Sequence, residues 1–212
     1  MRGPRRLRLA LALAACTVWA GAASAQELLD RVMARVGTTS IMLTDVTAAL
    51  GLGLVEAAAG VEPQAAATLQ LIDRELMLIE VARFRPAEPA ADAVDKEAAV
   101  LRARAGAGLE RLMQSTGLDE ARIRDIARDN LRIQAYLTQR FGATVQVSDE
   151  DVLQYYRANE AEFTRNGMLI PFEEAEPLAR QRASARRRST VIAQWLDDLR
   201  GRGAVTLPQS RP

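Results

Sequence analysis

The chain has 212 residues, and its 28 lysines and arginines nearly balance 27 aspartates and glutamates, while it contains one cysteine and no histidine. The absence of histidine excludes a Ser-His-Asp triad, and a lone cysteine without histidine cannot form the usual zinc sites. We therefore expect no metal site, no cofactor and no cysteine nucleophile activated by histidine.

The first 25 residues are typical of an export signal. Four arginines without any acid come first, an apolar run extends from Leu9 to Ala20, and Ala23-Ser24-Ala25 fits a small-x-small cleavage site. The apolar run is shorter than the ~20 residues that a membrane-spanning helix needs. We expect cleavage after Ala25 and a periplasmic protein without a transmembrane segment. A lipoprotein anchored at Cys16 is the alternative, although the residues after Cys16 stay apolar.

Cleavage would remove 25 of the 212 residues and four of the 28 basic side chains, leaving 187 residues with 24 bases, 27 acids and a net charge of −3. A chain of this length can bury a substantial core in one domain. Its stability must come from packing, because no cysteine remains to form a disulfide. Alanine and leucine dominate the apolar residues and aromatic residues are scarce, which favours helices.

The elements predicted along the chain are mostly helices. Alternating apolar residues predict a strand at Val32–Val36, and after a turn at Gly37–Ser40 a second extended segment at Ile41-Met42. Thr44 is predicted to cap the next helix. Two helices are predicted at Asp45–Leu50 and Pro63–Phe84, followed by a charged, alanine-rich helix that ends at about Ala105 and a short helix around Leu109–Met113. Three more are predicted from Asp119 to about Phe141, from Asp149 to about Asn159 and at Glu173–Arg200. A closing strand is predicted at Ala204–Leu207.

Three patterns add detail to these helices. Ser148 followed by Asp151 resembles a capping box at a helix start. Pro177 is expected either to kink the last helix or to mark its true beginning. An apolar stripe predicts the core-facing side of the helix at Pro63–Phe84: Leu69, Ile72, Leu76, Ile79 and Phe84.

Four blocks of sequence resemble, in order, the SurA and parvulin-type periplasmic chaperones. Arg31–Val46 is similar to the strand-turn-helix entry of that group, and Leu71–Phe84 to its leucine-rich helix with an Ile-Asp-Arg centre. Val147–Phe163 combines a capped acidic helix start, a paired tyrosine and a Glu-Phe ending, which is a distinctive segment of these chaperones. The block from Trp195 to Leu207 is similar to their closing helix and strand.

The resemblance implies a mainly α fold, a helical chaperone core with a small β element that pairs the N-terminal and C-terminal strands. The sequence supports this pairing independently, because a short terminal strand needs a partner and the other strand signal lies near the other terminus. Residues 26–163 and 172–212 are expected to form a single core. The bridge at 164–171 lies where the group commonly carries a prolyl isomerase domain, which eight residues cannot form. We therefore expect no catalytic residue and no enzyme activity.

Ten residues are candidates for contact with unfolded client proteins: Leu50, Leu52, Leu54, Val55, Tyr155, Tyr156, Met168, Leu169, Ile170 and Arg188. The first four lie in an apolar segment interrupted by glycines, which either contacts clients or packs as a helix of modest propensity. The adjacent tyrosines point about 100° apart on a helix, so one is expected in the core and the other in a groove. The apolar triplet Met168-Leu169-Ile170 is expected in a loop, where it is either exposed or packed over the core. Arg188 either forms a structural ion pair or lines a client groove.

The expected function is that of an ATP-independent periplasmic chaperone, which binds unfolded envelope or outer-membrane proteins without isomerase activity. The alternative is a structural or assembly subunit that docks on one dedicated envelope partner or on a second copy of itself. A carboxylate enzyme is a third reading, but no two acids are distinctively spaced. Nucleic acid is not expected as a partner, because the arginines at 180–188 are scattered around their helix axis.

Overall fold

The computed structural model describes residues 30–56, 60, 62–142 and 146–208. The expected signal peptide at 1–25, with Cys16, lies outside the described residues. The elements in chain order are β1 Val32–Val36, β2 Thr39–Met42, α1 Leu43–Gly51, α2 Pro63–Phe84, α3 Ala91–Ala105, α4 Leu109–Thr116, α5 Glu120–Phe141, α6 Asp149–Ala158, β3 Thr164–Arg165, β4 Met168–Leu169, α7 Phe172–Arg202 and β5 Val205–Thr206. Short 3₁₀ turns precede α4 and follow α6.

The fold is mainly helical with a small antiparallel sheet, which confirms the predicted fold class. The sheet has the strand order β2-β1-β5, so the C-terminal strand pairs with the first strand. Arg35 pairs with Thr206 and Val36 with Val205. The amide of Gly37 extends the pairing by donating to the carbonyl of Ala204 at 2.9 Å. The two ends of the described chain are therefore joined in one sheet, as the sequence predicts.

Local sequence signals account for several helix starts. Pro63 lies in the first turn of α2, and the carboxylate of Glu62 accepts hydrogen bonds from the amides of Gln64 and Ala65 at 3.1 and 2.7 Å. Ser148 and Asp151 form the predicted capping box of α6. Such caps satisfy amide groups that have no partner within the helix.

The start of α1 differs from the prediction. The helix begins at Leu43 instead of Asp45, and the Asp45 carboxylate accepts from the amide of Met42 at 2.9 Å. Thr44, the predicted cap, instead donates its hydroxyl to the carboxylate of Asp30. The prediction was wrong because a contact with a residue distant along the chain holds the threonine side chain. Likewise α7 begins at Phe172, so Pro177 does not mark its start.

Buried side chains of the described residues form three clusters. The first lies between the sheet, α2, the end of α5 and the end of α7, and includes Val36, Leu76 and Trp195. The second lies among α1, α3 and α5, and Leu54 packs against both. The third lies between α6 and the first half of α7 and shares no residue with the other two; its buried members are Val152, Tyr156, Phe163, Ala175 and Ala179. That all of these form one folding unit stays a prediction.

Two adjacent residues of α2 join this helix to two others. The guanidinium of Arg200 on α7 donates to the Asp73 carboxylate through Nε at 2.6 Å and Nη2 at 2.5 Å. Arg74 donates to the side-chain oxygen of Asn130 at 2.6 Å and to the carbonyl of Ile126 at 3.2 Å, both on α5. Asp73 and Arg74 belong to the Ile-Asp-Arg sequence that carries part of the resemblance, and their hydrogen bonds hold α2 against α7 and α5.

Candidate functional site

A cleft of about 540 Å³ opens beside strand β2. Strand β2 contributes to the lining together with helices α1, α2 and α5, and the rest comes from Leu54 and from residues 116–119 at the junction of α4 and α5. Its apolar side chains are Ile41, Ala48, Ala49, Leu54, Leu71, Leu78, Leu118 and Ile126. Its charged side chains are Asp45, Arg74, Glu75, Asp119, Arg122 and Asp129. We name this feature the β2 cleft.

Strand β2 is an edge strand. The order β2-β1-β5 places β1 on one side of it, and no strand within the described part of the chain pairs with its other side. Thr39, Ser40 and Ile41 of this strand line the cleft. An edge strand presents unpaired backbone N–H and C=O groups to any extended chain that lies beside it. The cleft therefore places residues of an edge strand beside apolar side chains.

Burial shapes the electrostatics of the cleft. Desolvation lowers the pKa of the Arg74 guanidinium, and the nearby Asp129 carboxylate acts in the opposite direction. Desolvation likewise raises the pKa of Asp129, although Arg74 and Arg132 attract its charged form. The carboxylates outnumber the guanidinium groups in the lining, so the cleft is not built for an anion. A lining in which charged and apolar side chains are mixed suits a chain in which polar and apolar side chains alternate.

Four of the sequence candidates lie at the end of α1 and in the segment that follows it. Leu52 is fully buried in the second cluster, and Val55 is buried in the first. Leu50 is half-buried and packs against the first cluster. Leu54 is half-buried and lines both the β2 cleft and a second cleft of about 440 Å³, whose lining Val55 also joins. Leu54 is therefore the member of this segment best placed for client contact.

The bridge at 164–171 is a β-hairpin and not the expected loop. Strands β3 and β4 pair Thr164 with Leu169, and the turn residues Asn166 and Gly167 have φ angles of 54° and 78°. Positive φ at both central residues is the signature of a type I′ turn, for which Asn-Gly is a favoured sequence. The Asn-Gly pair was the local signal that the loop prediction overlooked.

The hairpin divides the apolar triplet. The side chain of Met168 is 72% exposed and that of Leu169 is 42% exposed. Ile170 is half-buried, packs against the third cluster and donates its amide to the carbonyl of Phe163 at 2.9 Å. Met168 and Leu169 are therefore available to a partner, whereas Ile170 anchors the hairpin.

The two tyrosines of α6 occupy different environments. Tyr156 is buried, and its ring lies between those of Phe163 and Phe172, with centroids 5.1 and 5.4 Å away. Tyr155 is half-buried and lines a groove between α6 and α7. The remaining candidate, Arg188, is exposed on α7 and forms no salt bridge with any residue in the described ranges.

Few features of the sequence predict the β2 cleft. The predicted core stripe of α2 is only partly correct, because Ile72 and Leu76 are buried whereas Leu69, Ile79 and Phe84 are exposed. The cleft uses Leu71 and Leu78 instead, two residues spaced by seven and hence on one side of the helix. That spacing is visible in the sequence, but it does not show that β2 faces it.

Comparison with protein-family models, with curated proteins and with solved structures finds no match to this chain. The resemblance to the SurA group rests on the residues quoted above. Among the described residues, no helix is long and apolar enough to cross a membrane.

Proposed function

We propose that the protein is a periplasmic, ATP-independent chaperone that holds extended segments of unfolded envelope proteins and has no isomerase activity. The observation that carries this proposal is the free edge of β2 beside the apolar lining of the β2 cleft. Addition of an extended peptide to a sheet edge is a common mode of recognition, in which main-chain hydrogen bonds give affinity without requiring one sequence.

Outer-membrane β-barrel proteins are suitable clients for such a cleft. Their strands alternate apolar and polar residues, and they aggregate in water before insertion. Alternate side chains of a strand that pairs with β2 would face the cleft, whose lining includes Leu71, Leu78 and Ile126, and the others would face away from it. The export signal expected at residues 1–25 supports the same compartment for protein and client.

The bridge supports binding without isomerase activity. Thr164–Pro171 forms a short hairpin where the chaperone group commonly carries its isomerase domain. Prolyl isomerisation is slow without catalysis, so catalysis is readily measured. We expect the purified mature chain to leave the rate of a proline-limited refolding reaction unchanged.

The decisive experiment compares two neighbouring residues of α2. Leu78 lines the β2 cleft, whereas Ile79 is exposed and lies outside its lining. The mature protein should suppress aggregation of an unfolded barrel protein at a near-equimolar ratio. Leu78→Ala should weaken that suppression several-fold because it removes apolar contact area, and Ile79→Ala should leave it unchanged.

Failure of the wild-type protein to suppress aggregation would overturn the proposal. Equal loss in both variants would also contradict it, because the cleft would then not be the binding surface. Thermal unfolding of each variant separates a binding defect from a folding defect, since Leu78 also packs against the first cluster.

An assembly subunit is the second candidate, and the hairpin is the observation that favours it. Met168 and Leu169 are exposed on strand β4, which is paired with β3, so they present fixed apolar contacts to a folded partner. A tight stoichiometric complex with one native envelope protein, lost in Met168→Ser, would support this function if the protein had no affinity for unfolded chains.

A further inference from the structure

The middle of α7 is exposed on every side. The first half of the helix packs on α6 through Ala175 and Ala179, and its end packs in the first cluster through Trp195 and Leu199. Between them, residues 185–190 are all exposed. Because successive residues of a helix are rotated by about 100°, this stretch exposes the whole circumference of the helix. It contributes no buried side chain to either cluster.

The arginines in this part of α7 differ from those nearer its ends. Arg180 lies 2.6 Å from the carboxylate of Asp149, and Arg200 pairs with Asp73. Four other arginines of α7 form no salt bridge with a described residue: Arg182, Arg186, Arg187 and Arg188. Like charges one helical turn apart repel each other, at a cost of about 0.2–0.5 kcal/mol per pair. Among the described residues, no carboxylate therefore lies within salt-bridge distance of these four guanidinium groups.

Two of these arginines line a groove of about 360 Å³ between α6 and α7. Apolar side chains and a tyrosine ring share the lining, which includes Val147, Tyr155, Ala158, Ala183, Arg186 and Arg187. Asp151 also lines the groove, but its carboxylate accepts hydrogen bonds from the amide and hydroxyl of Ser148 at 3.0 and 2.8 Å. The groove thus offers apolar contact area beside two guanidinium groups.

We propose that this groove is the docking site for an acidic segment of a partner protein, in which carboxylates flank an apolar side chain. The planar guanidinium group matches the two oxygens of a carboxylate. The apolar side chain would contact Val147 and Ala183, and the ring of Tyr155 suits an interface because it combines apolar area with a polar tip. Carboxylates of the partner would pair with the two guanidinium groups, which form no salt bridge with a described residue and share the groove with a single carboxylate, that of Asp151.

The arrangement of the arginines favours a protein segment over a membrane surface. Arg186, Arg187 and Arg188 are consecutive, so their side chains leave the helix about 100° apart. A flat surface of anionic lipid can contact only some of these three side chains at once. A peptide that lies in the groove meets Arg186 and Arg187 together, because both belong to its lining.

This docking site is separate from the proposed client site. The groove lies beside the third cluster, whereas the β2 cleft lies beside the first two clusters. Loss of partner binding should therefore leave aggregation suppression unchanged. The two proposals can fail independently of each other.

The test uses the mature protein and a short fluorescent peptide in which glutamate alternates with leucine and alanine. Fluorescence anisotropy should show binding that weakens as salt is added. Arg186→Glu/Arg187→Glu should weaken it about tenfold or more, which corresponds to at least ~1.4 kcal/mol. The matched control is Arg111→Glu/Arg202→Glu, which makes the same charge change at exposed positions outside the groove and should stay near the wild-type affinity.

Equal loss in the two double variants would overturn the proposal, because the effect would then come from net charge alone. Equal binding of a peptide with lysine in place of glutamate would also overturn it. A third outcome would also overturn it: the protein binds vesicles of phosphatidylglycerol and phosphatidylcholine, this binding requires Arg186 and Arg187, and the acidic peptide does not bind. If the reversed variant does not fold, Arg186→Gln/Arg187→Gln provides the same comparison with a smaller charge change.

Discussion

The hydroxyl of Tyr156 on α6 donates a hydrogen bond of 2.5 Å to the carbonyl of Ile170. This bond joins the buried side of α6 to the base of the hairpin formed by β3 and β4. The flanking rings of Phe163 and Phe172 hold the tyrosine in place from both ends of the bridge. The short bridge is therefore anchored at a defined position in the third cluster.

Tyr156→Phe should weaken this anchor without removing the ring. We expect a loss of about 1 kcal/mol, because the carbonyl of Ile170 loses its partner in a partly buried setting. Hydrogen exchange should show the Ile170 amide exchanging about fivefold faster. Tyr155→Phe is the matched control, since the Tyr155 hydroxyl donates to the exposed side chain of Glu162 and should contribute little. Similar exchange in both variants would contradict the anchoring role.

Gly167→Ala tests the turn of the hairpin. Gly167 has a φ of +78°, a region in which a Cβ atom costs about 1–2 kcal/mol, although no atom lies within 4 Å of the added carbon. The strain should destabilise the hairpin, as measured by hydrogen exchange of the β3 and β4 amides. Gly108→Ala is the control, because Gly108 has a φ of −81° and equally open surroundings. That variant should be neutral or more stable by about 0.4–1 kcal/mol.

Much of the fold was predictable because its sequence signals are local or are compatible with only one strand pairing. The capping box at Ser148 and Asp151 needs only residues of the same turn. The pairing of the closing strand with β1 was predictable because a short terminal strand needs a partner and the strand signal at Val32–Val36 lies near the other terminus. Thr44 failed as a predicted cap because Asp30 binds its hydroxyl, and a local pattern does not contain that contact.

The candidate site was much less predictable. The residues that follow α1 were chosen for apolar character and glycine content, yet Leu52 and Val55 are buried. The β2 cleft arises because α2 places Leu71 and Leu78 opposite an edge strand, and this depends on the packing of four elements. The groove lined by Arg186 and Arg187 was predicted only in part: one tyrosine of α6 was expected in a groove, but these two arginines were not expected beside it. Scatter around the helix axis indicated solvent exposure correctly, but α6 places a tyrosine beside two of these arginines.

Val152→Ala tests whether the third cluster unfolds separately. Val152 is fully buried between α6 and α7, so its truncation should cost about 2 kcal/mol. We expect faster hydrogen exchange in α6 and the hairpin and unchanged exchange in α2, because the third cluster shares no residue with the other two. Val81→Ala, at a fully buried site of the first cluster, should give the reverse pattern. Faster exchange throughout in both variants would show one cooperative core, as the sequence predicts.

Asp129→Asn should stabilise the protein at neutral pH and lose that effect in acid. Burial raises the pKa of the Asp129 carboxyl above its unfolded value, so ionisation favours the unfolded chain. The stability that the protonated form provides is present at low pH and is lost as the pH rises from the unfolded pKa through the folded one. The charged groups around it are Arg74, Arg122, Asp125 and Arg132.

Thermal unfolding should show a higher midpoint for the Asp129→Asn variant near pH 7 and no difference near pH 3, below the ordinary aspartate pKa of about 3.9. Asp92→Asn, at an exposed position of α3, serves as the charge control and should change stability by less than about 0.5 kcal/mol. A lower midpoint for Asp129→Asn at neutral pH would show that attraction by Arg74 and Arg132 outweighs the cost of burial.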